Sequence, residues 1–454
     1  MDAAVARVYI ETYGCALNHA DSLVMESVLR SRGHVIVGKP EEADVIIINT
    51  CTVRLDTEQR MKRRISEVWR HYGGEKRVIV AGCMAKAQPY TIKRLAPGAI
   101  LVSPGNAHRI HIAVEEGVEL LREDPLERKT LPSVASHRGV VAEVVAQEGC
   151  LSDCAFCITK YARRVLRSQP LEKIVEYVGK LLDRGVVEVR LAGQDLATYG
   201  VDLYGRRALP ELVERVAALL EDSGGCKGFL RVGMMSPDQA MPIWDELLEA
   251  MSHPCVYKFL HIPVQSGDDR VLRLMRRRYT VDEYKSMVRE ARLKLPGVTI
   301  ATDIIVGHPG EDEEAFEATV ALVKELMFER VHLAQYTPRP RTLSARLPQV
   351  PDPVKKERSR RLQKLIEEIG YSIHARYVGS RALAVATEEG EDGTVVARLY
   401  NYTQVVLPPG AARLGGVVDV EIVGATWYDL RAVPIGAYTP RKPLPHGARV
   451  ANAG

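Results

Sequence analysis

The 454-residue sequence lacks several features, and each absence excludes something. Net charge is only +4, so any affinity for nucleic acid has to come from local basic patches and not from the field of the whole molecule. No stretch approaches the roughly 20 uninterrupted apolar residues of a membrane span. The opening segment, Met1 to Ile10, lacks the charged stretch followed by an apolar run that marks a secretory leader. A cytoplasmic protein without membrane contact is therefore expected. Amides are scarce, 5 Asn and 11 Gln beside abundant Arg and Glu, a composition that fits heat adaptation. Disulfides are not expected either. Eight cysteines without a leader argue for reducing surroundings and metal ligation, with Cys226 and Cys255 as plain thiols outside any constellation. What is present is length for about three domains and 46% hydrophobic residues to fill their cores.

The densest chemical signal is Cys150-Leu151-Ser152-Asp153-Cys154-Ala155-Phe156-Cys157, directly after the apolar run Val140–Val145. A four-cysteine zinc site would need a fourth ligand close by, and none is there. Iron–sulfur clusters prefer thiolates, and three ligands on a four-iron cluster leave one iron open. The spacing, with an aromatic residue before the third cysteine, resembles the radical S-adenosylmethionine (SAM) enzymes. In them the open iron chelates SAM, whose reductive cleavage yields a 5′-deoxyadenosyl radical.

Residues 1–125 alternate short apolar runs with helical patterns. Arg7–Ile10, Ala43–Ile48 and Arg77–Val80 read as strands, and Ala20–Arg32 as a helix stopped by Gly33. Such alternation predicts a parallel sheet flanked by helices. Cys15, Cys51 and Cys83 each follow one of these strands. Carboxyl ends of parallel strands share one sheet edge, so the three thiols should converge, and Gly14 and Gly82 let the backbone turn close to a bulky ligand. Two three-cysteine sites in one chain, the N-terminal one in Gly-Cys, Asn-Thr-Cys and Gly-Cys contexts, look like the methylthiotransferases. The resemblance implies a second, auxiliary 4Fe-4S cluster on Cys15, Cys51 and Cys83 that handles sulfur. Asn18-His19-Ala20-Asp21-Ser22 also resembles that family; Asn18 or Asp21 can serve at the same time as a helix cap. Residues 126–138, with Pro132 and mixed charges, read as a linker.

From Val140 to Tyr336 strand and helix patterns alternate six times, with strand candidates Val140–Val145, Val187–Leu191, Phe229–Gly233, Lys258–Val264, Thr299–Val306 and Val331–Gln335. They suggest a partial or complete α/β barrel with its site at the carboxyl ends; the family has a partial (β/α)6 barrel, here residues 139–366. Polar residues cluster at those ends. The resemblance implies SAM contacts from Phe156, Gln194, Asp195, Arg231, Ser236, Gln265, Val306 and Gly307. The run Arg270 to Arg278 is a solvated helix face or a phosphate contact. Gln335-Tyr336-Thr337-Pro338-Arg339-Pro340-Arg341-Thr342 resembles the family's closing loop, with Arg341 in place of a glycine.

After a charged helix, Lys355–Ile369, five short strand patterns separated by glycines predict a small antiparallel barrel over 372–436, followed by a tail, 437–454. This stretch looks like a TRAM domain, the family's RNA-binding module, with Arg376, Arg381, Arg398, Tyr400 and Arg431 as candidates for backbone contact and base stacking. The phrases Gly149-Cys150-Leu151, Thr159-Lys160-Tyr161-Ala162-Arg163 and Leu260-His261-Ile262-Pro263-Val264-Gln265-Ser266 resemble the archaeal and eukaryotic tRNA threonylcarbamoyladenosine methylthiotransferases most. That branch implies two 4Fe-4S clusters, SAM, a tRNA substrate modified beside the anticodon, an electron donor and a sulfur source. A carboxylate-bearing substrate asks for cations, with Arg231, Arg163 and the Arg339–Arg341 loop as candidates. Methylthiolation of isopentenyladenosine or of a ribosomal-protein aspartate, and a non-catalytic metal-bearing RNA-binding protein, are the competing readings.

Overall fold

A computed structural model describes residues 5–53, 55–124, 126–222 and 225–435; the expected tail lies outside them. The chain forms two compact units, one of residues 1–137, 147–169 and 337–345, the other of the remainder.

The first unit is built on a five-stranded parallel sheet in the order β2-β1-β3-β4-β5. Its strands are β1 (Arg7–Thr12), β2 (Val35–Ile36), β3 (Val45–Thr50), β4 (Arg77–Gly82) and β5 (Ile100–Val102). Every residue of β3 is buried, as a parallel strand covered on both faces requires. Alternation sends Ile46 and Ile48, with Val78 and Val80 of β4, to one face against Met61 and Ile65 of the helix Leu55–Tyr72. Val45, Ile47 and Ile79 go to the other, against Val24 and Met25 of the helix Ala16–Ser31. That helix begins ahead of its apolar pattern, at Ala16 and not at Ala20. Asn18 and Asp21 are therefore inside it and cap nothing; its N-cap position is Cys15.

The strand β6 (Val141–Val145) belongs to the second unit, while β7 (Gln147–Glu148) and β8 (Arg167–Ser168) return to the first as an antiparallel pair. In the second unit β9 (Glu188–Ala192) is followed by the small hairpin β10 (Glu221–Asp222) and β11 (Gly225–Cys226), then β12 (Phe229–Arg231). Next come β13 (Phe259–His261), β14 (Thr299–Val306) and β15 (Arg330–Gln335). Two parallel three-stranded sheets result, β12-β9-β6 and β13-β14-β15, joined by the bridge Met234–His261. Together with the helices between them, these strands make the partial barrel. The helix Asp352–Ala375 leads to a closed barrel in the order β16-β17-β18-β20-β19, formed by β16 (Arg381–Glu389), β17 (Val395–Arg398), β18 (Gln404–Leu407), β19 (Val417–Ala425) and β20 (Leu430–Pro434). It is antiparallel except for β18–β20, which corrects the all-antiparallel expectation.

One cysteine expectation fails. Cys226 and Cys255 are joined in a disulfide. Chain folding brings residues 29 apart to neighbouring positions, which no local pattern announces. Disulfides inside cells are recorded mainly in heat-adapted organisms.

Candidate functional site

The first unit gathers all six free cysteines. Cys15, Cys51 and Cys83 follow β1, β3 and β4, three adjacent strands, so their backbones emerge side by side. The amide oxygen of Asn18 lies 3.4 Å from the Cys15 sulfur and 4.0 Å from that of Cys83. Gly14 packs on Cys51 so closely that a Cβ would come within 3.0 Å of its sulfur. Gly14 also has φ +112°, a region that favours glycine. Asn18 is held by donating to the Thr50 carbonyl, 2.8 Å away, and by accepting on its own carbonyl from Asn49, 2.7 Å away. Burial pushes the Cys83 thiol up to about 12 and the Cys51 thiol upward too. A soft metal centre would reverse that by ligating thiolate. Three soft donors converging on one strand edge fit three corners of an iron–sulfur cluster.

Cys150, Cys154 and Cys157 sit on the loop that β7 and β8 close at its base. Gly149 starts it at φ +87°, where a Cβ would collide with the Val165 carbonyl. Lys160 braces it by donating to Asp153, 2.7 Å away, and to the Cys154 carbonyl at 3.3 Å. The Ser344 amide donates to the Ala155 carbonyl, 3.1 Å away, and Tyr161 donates to the Arg341 carbonyl, 2.6 Å away. Cys154 is buried, while Cys150, Cys157 and the intervening Phe156 are half-buried. Three thiols within eight residues of one pinned loop also fit three corners of a cluster.

Arg163 ties the two cysteine sets together. Its Nε donates to the Cys83 sulfur at 3.2 Å, and its two terminal nitrogens pair with Asp21 and Glu148. Lys129 pairs with the same carboxylates at 2.6 and 2.9 Å. Burial alone would lower the arginine, but Asp21, Cys83 and Glu148 outweigh it and hold Arg163 charged. Glu148 is likewise opposed by burial, yet Lys129, Arg163 and Arg167 hold it well below the usual carboxylate range. Arg163 is thus committed to protein carboxylates, which removes it as a receptor for a substrate carboxylate. Arg339 is committed too, to Glu58 at 2.7 Å and to the Thr52 carbonyl. Arg341 stacks on Tyr161, 4.5 Å from the ring centre.

The second unit holds the other expected SAM residues. Gln194 is half-buried and Asp195 buried just beyond β9. Burial pushes the Asp195 carboxyl up to about 7, although it accepts the Ser236 amide at 3.0 Å. The Ser236 hydroxyl donates to Asp238, 2.7 Å away, and accepts from Arg277 at 2.8 Å. Gln265 has φ +70°, its backbone is bonded to Asp303 and Ile305 of β14, and its buried Oε1 has no partner among the described residues. An orphaned buried acceptor fits a ligand that donates. Val306 is fully buried and its carbonyl accepts the Tyr336 amide at 2.8 Å. The Gly307 amide donates to Glu311, 2.7 Å away, and a Cβ there would collide with Lys355.

Of the expected RNA residues, Arg376, Arg381 and Arg431 are all exposed at the surface. Arg398 and Tyr400 face inward instead. Arg398 is buried and stacks 4.8 Å from the Tyr402 ring centre. Tyr400 packs on Gly297, and its carbonyl accepts the Lys258 amide at 2.9 Å. The meeting of Asp21, Lys129, Glu148 and Arg163 has no signal in sequence; only their pairing in space reveals it.

Two family models match these regions. Residues 7–103 match the uncharacterized protein family UPF0004, and residues 144–323 the radical SAM superfamily. The sequence is 37% identical over 431 residues to a probable threonylcarbamoyladenosine tRNA methylthiotransferase of Pyrococcus abyssi, covering 93% of this chain and 98% of that one. It is 32% identical to the threonylcarbamoyladenosine tRNA methylthiotransferase of Homo sapiens, covering 98% of this chain and 77% of the human one. Among solved structures, the radical S-adenosylmethionine methyltransferase TsrM of Kitasatospora setae, with cobalamin and a [4Fe-4S] cluster bound, shares the fold. Its TM-score is 0.56 at 13% identity, over 75% of this chain and 76% of that one.

Proposed function

This chain belongs to the threonylcarbamoyladenosine tRNA methylthiotransferase family, and on that premise we propose that it methylthiolates C2 of threonylcarbamoyladenosine beside the tRNA anticodon. The reading uses two [4Fe-4S] clusters, one on Cys150, Cys154 and Cys157 and an auxiliary one on Cys15, Cys51 and Cys83. An electron donor and a sulfur source complete its partners. Residues 1–125 form the auxiliary-cluster domain, 126–138 the connection, 139–366 the radical SAM domain and 372–436 the TRAM module. The observation that carries the reading is the presence of two separate thiol triads in one compact unit, with the Cys15 and Cys83 sulfurs both beside the Asn18 amide oxygen.

The adenine C2–H is not acidic, so no protein base activates it, and chemistry this hard belongs to cofactors. When bound, the clusters and SAM supply the radical, the sulfur and the methyl group. The chain's own residues do the rest. Each thiol triad would hold a four-iron cluster by three of its irons. With a cluster bound, Arg163 would steady the Cys83 thiolate by a charge-assisted hydrogen bond. Asp195, Ser236 and the orphaned Gln265 oxygen offer acceptors and donors for the polar groups of SAM. The surface arginines Arg376, Arg381 and Arg431 contact tRNA phosphates.

Anaerobic reconstitution tests the cluster count, with about eight irons per chain expected from two four-iron centres. Saturation near four, with Cys15, Cys51 and Cys83 open to alkylation, would refute the auxiliary cluster.

A further inference from the structure

The second unit carries charges of two kinds. Arg190 collects three carboxylates, Glu143 at 3.5 Å, Glu388 at 2.6 Å and Glu188. Arg398 shares Glu388 at 3.6 Å, and His261 takes Asp303 at 3.0 Å. Arg231, at the end of β12, and Arg330, at the start of β15, have no ion-pair partner among the described residues, and the buried Arg231 Nε has no hydrogen-bond partner there either. Aromatic faces hold both guanidiniums. Arg231 lies 4.9 Å from the Phe259 ring centre and 5.4 Å from that of Tyr402, and Arg330 lies 4.4 Å from that of Tyr428. Stacking fixes a guanidinium while leaving its edge N–H groups free to point at an anion.

Access is open along β15. Residues two apart on a strand share a face, so Arg330, His332 and Ala334 line one side of β15, and His332 and Ala334 are exposed. His332 stacks on His261, 5.3 Å between ring centres. The ligand atoms of His261, Asp303 and His332 lie within 4.8 Å of one another, close enough for a cation. Two guanidiniums beside them, neither in an ion pair among the described residues, repel one. Partial desolvation, together with the cations Arg330 and Arg231, outweighs the Asp303 charge and pushes His332 down to about 4, so it stays neutral and adds no competing charge.

We propose that Arg231 and Arg330 together receive the carboxylate carried by the N6 substituent of the modified adenosine. This rests on the threonylcarbamoyladenosine reading above. The N6 substituent leaves the adenine ring from a different carbon than C2, so a site that offers C2 for reaction holds the substituent apart from the reacting edge. A carboxylate there gains two charge-assisted donors, which offsets its desolvation. A neutral isopentenyl tail would leave both cations unanswered, and the pair thereby acts as a specificity determinant against it.

The test uses reconstituted holoenzyme and two anticodon stem-loops. One carries threonylcarbamoyladenosine. The other carries the same urea with a propyl group, so only the carboxylate and hydroxyl-bearing part is missing. Affinity without turnover and kcat/KM with turnover are measured for wild type, Arg330→Gln, Arg330→Lys and Arg231→Gln. Iron content and melting temperature serve as folding controls. Wild type is expected to prefer the carboxylate-bearing RNA by about 10- to 100-fold, the range of a hydrogen bond to a charged group. Each Gln variant is expected to lose most of that preference, and Arg330→Lys to keep part of it. Equal affinity of wild type for the two RNAs, or unchanged preference in both Gln variants, would overturn the proposal. So would a loss of affinity equal for both RNAs with a shallower salt dependence, which marks a phosphate contact, or a weaker SAM affinity with discrimination intact. No product from wild type on the threonylcarbamoyl RNA, with its affinity preference present, would instead sink the functional reading alone.

Discussion

The two units use arginine in opposite ways, buried in the first and half-buried in the second. In the first, Arg163 and Arg339 are closed off by Asp21, Glu148 and Glu58, and their charge holds a cysteine-bearing loop in place. In the second, Arg231 and Arg330 stack on aromatic rings without a carboxylate. A compensated buried cation is part of the scaffold, since removing it strands its partners. An uncompensated one strands nothing when removed, and its cost of burial is recovered only when an anion arrives. The contrast separates arginines that build the site from arginines that read the substrate, although the bare sequence shows all four alike.

The largest expected effect lies in the thiols themselves. Replacing Cys150, Cys154 and Cys157 by Ala should abolish SAM cleavage in an anaerobic assay of 5′-deoxyadenosine. Replacing Cys15, Cys51 and Cys83 should spare some cleavage and stop sulfur insertion; methylthio product from that triple variant would show that the N-terminal thiols do not handle sulfur. Next comes the disulfide. Removing the Cys226–Cys255 link frees a loop of about 29 residues, which on the chain-entropy account costs about 3.5 kcal/mol. Equal denaturant midpoints of the oxidised protein and the double Ser variant would contradict this.

Arg163→Met should destabilise by about 3 kcal/mol, the low end for a broken buried pair, because Lys129 still neutralises Asp21 and Glu148 in part. Arg231→Met, by contrast, should cost less than about 1 kcal/mol in the same titration, since no carboxylate among the described residues is ion-paired to it. Similar losses for the two would erase the distinction between scaffold and reader. The smallest effect belongs to the surface arginines of the C-terminal module. Changing Arg376, Arg381 or Arg431 to Gln should lower the salt slope of tRNA binding by about one for each phosphate no longer neutralised.

What the sequence makes legible follows from locality. The run Ala43–Ile48 and the strand-like Thr299–Val306 announce buried parallel strands, and the placement of Cys15, Cys51 and Cys83 after three strands follows from parallel-sheet geometry. The helix Leu55–Tyr72 is hard to read because only Glu58, Met61, Ile65 and Val68 are buried in a highly charged stretch. The pair β7–β8 is two residues long on each side, too short for any period to show. Asp21 and Arg163 meet across 142 positions. Arg398 turns inward because it stacks on the buried Tyr402, whose hydroxyl lies 2.9 Å from Glu188. Long-range pairing of polar groups leaves no trace in local pattern.

The most direct measurement is mass spectrometry of tRNA nucleosides after incubation with the reconstituted enzyme, SAM, a reductant and a sulfide source. tRNA bearing threonylcarbamoyladenosine, tRNA bearing isopentenyladenosine and a ribosomal protein are offered side by side. The account expects the 2-methylthio form of threonylcarbamoyladenosine and no other methylthio product. Methylthiolation of the isopentenyl tRNA or of the protein, with threonylcarbamoyladenosine left unchanged, would contradict it.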